Sequence, residues 1–182
     1  ETIVARDNLI RAWKRVKANK GVAGTDAITI TDFPVWARQH WPTIKTQLMS
    51  GDYQPKAVRR VWIPKPNGDK RPLGIPTVAD RIIQQAIAQQ LVPYFEREFS
   101  HNSYGFRPGR NAHQAVRQVR EYIRAKYRTV VDIDLAAFFD SVNHDVLMRL
   151  LSQRIGDKRV LQLMGRYLRA GVIENGRWQA TP

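Results

Sequence analysis

Asp132 and Asp134 sit two residues apart in a run, 129–135, where Val131, Ile133 and Leu135 alternate with Val130, Asp132 and Asp134. That alternation predicts a β-strand with both carboxylates on one face. There they repel each other unless solvent, a proton or a cation relieves them. A Mg²⁺ ion that also holds substrate phosphates needs one or two carboxylates rather than a full protein cage. Spacing alone leaves the alternative open, an edge strand whose two acids simply face water. A second cluster, 56–71, carries Lys56, Arg59, Arg60, Lys65, Lys70 and Arg71 against the single acid Asp69, with Trp62 among them. Basic side chains around a hairpin tip can contact phosphate oxygens, but they also guard a sheet edge against aggregation. A third cluster, Ser103-Tyr104-Gly105-Phe106-Arg107-Pro108-Gly109-Arg110, runs into a helix N-terminus, an end that favours anions. Phe106 is expected to pack into the core; Tyr104 is open to either reading. His113 and His144 have no partner at metal-ligand spacing and are read as structural. No Ser-His-Asp order or phosphate-binding glycine loop is present.

These clusters need elements to position them. Leu9, Ala12, Trp13 and Val16 recur at helical spacing, predicting a helix over 3–20 that ends at Gly21 and Gly24. A second helix is expected over 33–49, interrupted near Pro42. Val58 to Ile63 and Leu73 to Ile75 read as strands joined by a turn at Asn67-Gly68, a pair that tolerates positive φ. Helical patterning returns over 78–95 with Ile82, Ile83, Ala86, Ile87 and Leu91 inward. Asn111 with Gln114 reads as a capping box for a helix to about Ala125, with Ala112, Ala115, Val116, Val119 and Ile123 on its apolar face. Helices are expected from His144 to Arg154, capped by Asn143, and from Lys158 to Arg169. A second Asn-Gly hairpin, 172–178, follows. The irregular mixture of helices and hairpins is α+β.

The 182 residues contain 30 Lys and Arg against 16 Asp and Glu, a formal net charge of +14. A surplus that large points to a polyanion, nucleic acid first and an anionic membrane surface second. At 43% hydrophobic the chain can build a core, which excludes a disordered tail. Cysteine is absent, so disulfides and thiolate metal sites are excluded. No apolar run approaches the ~20 residues of a membrane span and no signal peptide is visible. A soluble, cytoplasmic, nucleic-acid-facing protein is expected.

Four motifs carry a family resemblance: Arg-Arg-Val-Trp-Ile-Pro-Lys-Pro-Asn-Gly (59–68), Lys-Arg-Pro-Leu-Gly-Ile-Pro-Thr-Val-Ala-Asp-Arg (70–81), Ser-Tyr-Gly-Phe-Arg-Pro-Gly-Arg (103–110) and Asp-Ile-Asp-Leu-Ala-Ala-Phe-Phe-Asp (132–140). In this order they resemble the reverse transcriptase domain of group II intron-encoded proteins, the intron maturases. The resemblance implies a right-hand polymerase fold: an N-terminal helical extension (1–50), fingers with the basic hairpin (51–128) and the first part of a palm (129–182). It implies an RNA-directed DNA polymerase using two Mg²⁺ ions, which also assists splicing and mobility of its intron. Asp134 matches the family's first catalytic aspartate, with the Leu135 carbonyl completing its side of the metal site. Lys65 and Arg81 match the triphosphate-binding pair, although the charge cluster by itself points to Arg71. Phe138, with Phe139 as the neighbouring candidate, matches the gate that excludes a 2′-hydroxyl. Gly74, Ile75 and Pro76 match the surface beneath the templating base. Lys56, Arg59, Arg60, Lys70, Arg71, Arg107, Arg110 and Arg117 are the expected RNA contacts, joined by a later run from Arg149 through Lys158, Arg159 and Arg166 to Arg169.

The expected partners are intron RNA, an RNA template with its DNA primer, and dNTP, with no membrane. The family's later Asp-Asp turn and thumb are not in this sequence, so this chain alone is expected to bind RNA without polymerising. An unpaired 129–135 strand edge would also invite a second copy. Two alternatives stand beside this reading: a non-catalytic RNA-binding splicing module, and a related bacterial reverse transcriptase from a retron, a diversity-generating element or a CRISPR locus.

Overall fold

The computed structural model describes residues 1–66, 68–135 and 138–181. Asn67 of the first Asn-Gly turn, Ala136 and Ala137 of the 132–140 motif, and Pro182 lie outside the described residues. In chain order the elements are α1 (Arg6–Ala18), α2 (Phe33–Ser50), β1 (Val58–Pro64), β2 (Lys70–Ile75), α3 (Val78–Phe95), α4 (Ala112–Arg124), α5 (Phe138–Ser141), α6 (His144–Ser152), α7 (Lys158–Leu168), β3 (Val172–Glu174) and β4 (Arg177–Gln179). The fold is α+β, as the patterning predicts. The chain forms two compact units, one built from Glu1–Gln89 with Phe139–Pro182 and one from Gln90–Phe138.

The first unit has a helical core. Ala12 and Val16 of α1 are buried, as are Ile82, Ile83, Ala86 and Ile87 of α3. These are the positions that helical spacing selects, because a stripe repeating every three or four residues is the only part of each helix that must leave water. Leu91, also expected inward, is half-buried. A polar residue joins this core without any pattern to announce it. The Asn8 amide donates to the carbonyls of Ile3 and Ala86 at 2.8 and 3.0 Å, and its oxygen accepts from Gln89 at 2.8 Å. It thereby fastens α1 to α3. The expected break at Pro42 does not occur; α2 runs through it. Pro42 is exposed, so the carbonyl that loses its intrahelical donor can turn to water instead of ending the helix.

The sheet order is β2-β1-β3-β4. β1 and β2 pair antiparallel with Arg59 opposite Ile75 and Ile63 opposite Arg71. Pro72 is accommodated because β2 is an edge strand. β1 also pairs in parallel with β3, Val58 opposite Val172, and β3 turns back into β4. Asn175 and Gly176 at that turn both have positive φ, 50° and 75°, the conformation an Asn-Gly hairpin requires. The two hairpins, predicted separately, are thus one sheet.

In the second unit the Asn111–Gln114 capping box forms as read, each side chain accepting from the other's backbone N–H. Two expectations fail here. The run 129–135 is not a strand, and Val130, Val131, Ile133 and Leu135 are all exposed. A strand exists only as part of a ladder, and among the described residues none pairs with this run; alternation supplies the faces but not the partner. Phe106 is fully exposed rather than packed into the core. The apolar face of α4 is also largely uncovered, with Val116, Val119 and Ile123 more than half exposed.

Candidate nucleic-acid and nucleotide interface

The basic hairpin presents Lys56, Lys65, Lys70 and Arg71 to solvent. Residues opposite in an antiparallel register share a face, so Ile63 and Arg71 lie on one side. Lys65 follows the last residue of β1 and lies just outside the ladder. Its own N–H donates to the Asp69 carbonyl at 2.6 Å, which closes the tip. Arg59 is different. Its Nε and Nη2 donate to the Ala23 carbonyl at 3.2 and 2.7 Å, so its guanidinium ties β1 to the N-terminal loop. Arg60 is half-buried and its Nε is enclosed without an acceptor among the described residues. Gly74 is small for a local reason, because a Cβ there would lie 2.9 Å from Val58 Cγ2. Ile75 is buried and Pro76 half-buried.

Arg81 emerges from the first turn of α3. Its Nη2 donates to the Val22 carbonyl at 2.7 Å, and its Nε is enclosed without an acceptor among the described residues. Burial lowers its pKa from the usual arginine value, partly offset by Asp26. Gly21 makes room for this arrangement, since a Cβ would come within 2.3 Å of Arg81 Nη1. Gly24 presses on the β2–α3 junction, where a Cβ would meet Thr77 N at 2.6 Å and Pro76 C at 2.8 Å. The two glycines therefore predict different outcomes. Gly24→Ala meets backbone and should cost about 1–3 kcal/mol in urea unfolding. Gly21→Ala meets the far end of a flexible side chain and should cost less while releasing Arg81 from Val22. Equal losses for the two would refute this distinction.

Behind Arg81 lies the residue that sequence reasoning missed. Asp80 is 0% exposed. Its Oδ1 accepts from the hydroxyls of Tyr53 at 2.8 Å and Tyr167 at 3.0 Å. Its Oδ2 accepts from Thr77 Oγ1 at 2.7 Å and from the Lys56 N–H at 3.3 Å. Burial, and then the Asp80 charge, pushes both phenols above the ordinary tyrosine range. One carboxylate thus joins the start of α3 to α7 and to the chain entering β1. The only sequence signal for it was Thr77-x-x-Asp80, a helix-start spacing.

Asp134 belongs to the second unit and is exposed outside any helix or strand. Its Oδ1 accepts from the Leu135 N–H at 2.9 Å. Asp132 and Asp140 are also exposed. A carboxylate and a main-chain carbonyl are the hard oxygen donors Mg²⁺ takes, so Asp134 and Leu135 suit it chemically as part of a site. Among the described residues no group of three or more His, Asp or Glu converges as a full metal centre. Phe138 is half exposed and Phe139 nearly wholly so.

Several expected RNA contacts have internal work. Arg107 directs its Nε and Nη2 to Glu96 Oε1, at 2.9 and 2.7 Å, and its Nη1 to the carbonyls of Ser100 and Ser103. Arg159 Nη1 donates to the Met49 carbonyl at 3.0 Å, and Arg166 Nη1 to those of Gly51 and Tyr53, satisfying the C-terminal end of α2. Arg110 donates to the His101 carbonyl at 3.1 Å, and Arg117 is exposed. Among the described residues no helix is long and apolar enough to cross a membrane.

Comparison with known proteins fits this arrangement. Protein YkfC of Escherichia coli (strain K12) is 38% identical over 178 residues, 94% of this chain and 47% of that protein. Group II intron-encoded protein LtrA of Lactococcus lactis subsp. cremoris is 36% identical over 172 residues, 93% of this chain and 28% of that protein. The chain therefore spans less than half the length of these relatives. A solved structure titled "Partial Cas6-RT-Cas1--Cas2 complex" shares the fold, with a TM-score of 0.61 at 20% identity, covering 97% of this chain and 28% of that one. The family described as reverse transcriptase (RNA-dependent DNA polymerase) matches residues 63–181, from the end of β1 through β4 and across Lys65, Arg81, Asp134 and Phe138. The chain belongs to the reverse transcriptase family.

Proposed function

We propose that the chain is the template- and nucleotide-receiving part of an RNA-directed DNA polymerase. The family match across 63–181 carries this reading, because it includes Lys65, Lys70 and Arg71 of the basic hairpin as well as the Asp134 segment. In it, residues 1–50 extend the fingers, 51–128 form them and 129–182 begin the palm. Exposed Lys56, Lys65, Lys70, Arg71 and Arg117 draw in RNA, with Arg60 and Arg110 beside them. Arg59 and Arg107 act mainly by holding loops in shape. Gly74, Ile75 and Pro76 underlie the template. Lys65 receives the dNTP triphosphate; Arg81 is its partner by resemblance and Arg71 the candidate from the charge cluster. Asp134 and the Leu135 carbonyl would hold Mg²⁺, which when bound stabilises charge on the attacking and leaving oxygens. Phe138, with Phe139 beside it, excludes the ribose 2′-hydroxyl.

Two lineages fit this chemistry. The 36% identity to LtrA favours an intron-encoded protein whose partners are its own intron RNA and a primed template, and which serves splicing and mobility. The likeness of fold to the Cas6-RT-Cas1 chain favours a CRISPR-associated reverse transcriptase. We take the broader reverse transcriptase reading as the conclusion, with the two lineages separated by whether intron RNA binds more tightly than unrelated structured RNA.

The test has two parts. In filter binding, the 182-residue chain should hold structured RNA with an affinity that falls about 10³–10⁵-fold between 50 and 200 mM salt if six to ten phosphates are contacted. Salt-insensitive binding would refute the electrostatic argument. In the full-length polymerase, Lys65→Ala should raise the apparent KM for dNTP more than it weakens template binding. Whichever of Arg71→Ala and Arg81→Ala shares that signature is its partner, and neither doing so would refute the triphosphate assignment. Phe138→Ala should relax rejection of ribonucleotides.

A further inference from the structure

The loop between α3 and α4 is built with more care than a connector needs. Arg107 fills it: the side chain is only 8% exposed, it is bonded to Glu96, Ser100 and Ser103 as described, and its guanidinium lies 5.2 Å from the Phe99 ring centroid. Arg110 covers the Tyr104 ring at 5.4 Å, and its own N–H donates to the Arg107 carbonyl at 3.2 Å. The Asn111 capping box then fixes the start of α4. Between these anchors Phe106 stands with φ 55° and a relative exposure of 112%.

That placement is unfavourable twice over. An aromatic ring in water forgoes the burial that normally stabilises it. A left-handed backbone also strains any residue with a Cβ, and a glycine at the same position would be free of that strain. Neither cost is recovered by a contact among the described residues. A rigid loop that holds a ring outward at such a cost is a presenting device, and the question is what it presents to.

The surroundings answer it. His101, Asn102, Gly105, Pro108 and Gly109 are exposed at the same tip, and the half-exposed Phe99 ring of this loop is taken up by Arg107, so polar and small residues flank Phe106 in the chain. A protein interface needs a contiguous, desolvated apolar centre, which one ring does not provide. An unpaired nucleic-acid base needs a single planar face and nearby positive charge. The chain's +14 charge supplies the attraction.

We infer that Phe106 is a stacking platform for an unpaired base of single-stranded nucleic acid, with Arg107 as the positioning residue that holds the loop. The inference rests on the nucleic-acid reading above and adds a site and a preference for single strands over duplex.

The experiment uses the 182-residue chain, a fluorescein-labelled oligoadenylate of about 12 nucleotides and a duplex of the same length, read by fluorescence anisotropy. Phe106→Gly should weaken single-strand binding about 5- to 150-fold and duplex binding far less. The same variant should raise the urea midpoint, because glycine relieves the backbone strain and no buried contact is lost. Opposite signs for stability and binding separate a binding role from a structural one. Phe106→Trp should restore affinity, with its indole emission quenched as a base stacks on it. Unchanged single-strand affinity in Phe106→Gly, or an equal loss on duplex, overturns the platform while leaving the nucleic-acid reading intact. Loss of a self-association in Phe106→Gly with affinity unchanged would reassign the ring to a protein contact. No salt-dependent binding of either probe by the unaltered chain would remove the underlying reading and this inference with it.

Discussion

If the proposed function holds, Asp134→Ala, introduced into the full-length protein, should reduce primer extension to background while RNA binding stays close to that of the unaltered protein or tightens slightly. The direction of the binding change follows from charge: the substitution removes one anion from an exposed segment of a basic chain, so repulsion of phosphates falls. The loss of extension follows from the proposed role, since a metal-holding carboxylate contributes where phosphate charge is redistributed during reaction. Within this chain the substitution removes no buried contact, because Asp134 is exposed, lies outside helix and strand, and accepts from the N–H of its own neighbour Leu135. Asp132→Ala is the companion variant, and it should retain extension that Asp134→Ala lacks. Extension near the unaltered rate in Asp134→Ala would show that Asp134 is not the ligand; equal loss in both would show that the pair works as a unit.

Asp80→Ala should be the most destabilising single change in the first unit, at about 3–5 kcal/mol. It strips the acceptor from two tyrosine hydroxyls, the Thr77 hydroxyl and the Lys56 N–H at a position with no access to water. Each buried donor left without a partner costs about 1–3 kcal/mol, and small domains have only about 5–15 kcal/mol in total. Asp80→Asn should be milder, because the amide keeps one acceptor oxygen for the tyrosines and sets its NH₂ against the other donors. Urea midpoints for the two variants test this; a loss under about 1 kcal/mol in Asp80→Ala would refute it. The same network gives the fold an alkaline limit. Tyr53 and Tyr167 have folded pKa values raised above the unfolded value of about 10. Their stabilisation is therefore complete below about pH 10 and is lost progressively as unfolded tyrosines begin to ionise. Urea midpoints should accordingly decline above that pH.

Local features of the fold were readable because their causes are local. The α1 stripe, the Asn111–Gln114 cap and the Asn175-Gly176 turn each depend on residues a few positions apart. The pairing of β1 with β2 followed from their closeness in sequence. What sequence pattern could not supply was partnership at a distance. Nothing near Val58 marks Val172 as its neighbour, and nothing in 129–135 reveals that its alternation meets no ladder among the described residues. Charge was similarly misleading at Arg59, Arg107, Arg159 and Arg166. Counting basic residues registers the donors, but whether they face phosphate or a carbonyl depends on acceptors that only folding brings near. Asp80 was overlooked for the converse reason, because an acid at a helix start is usually explained by the helix dipole. Its burial becomes visible only when Tyr53 and Tyr167 arrive from other parts of the chain.

The discontinuity of the first unit has a consequence for how the protein is made. β1 leaves the ribosome long before β3, and the whole of the second unit is synthesised between them. Until β3 appears, the β1 edge that pairs with it is an open row of donors and acceptors. Asp80 likewise waits for the Tyr167 hydroxyl of α7. At synthesis rates of about 5–20 residues per second, that interval lasts seconds, far longer than the microseconds in which the β1–β2 hairpin can close. The N-terminal half therefore spends its early life as a partly closed structure with a strand edge exposed, and its safe completion depends on a segment near the far end of this sequence.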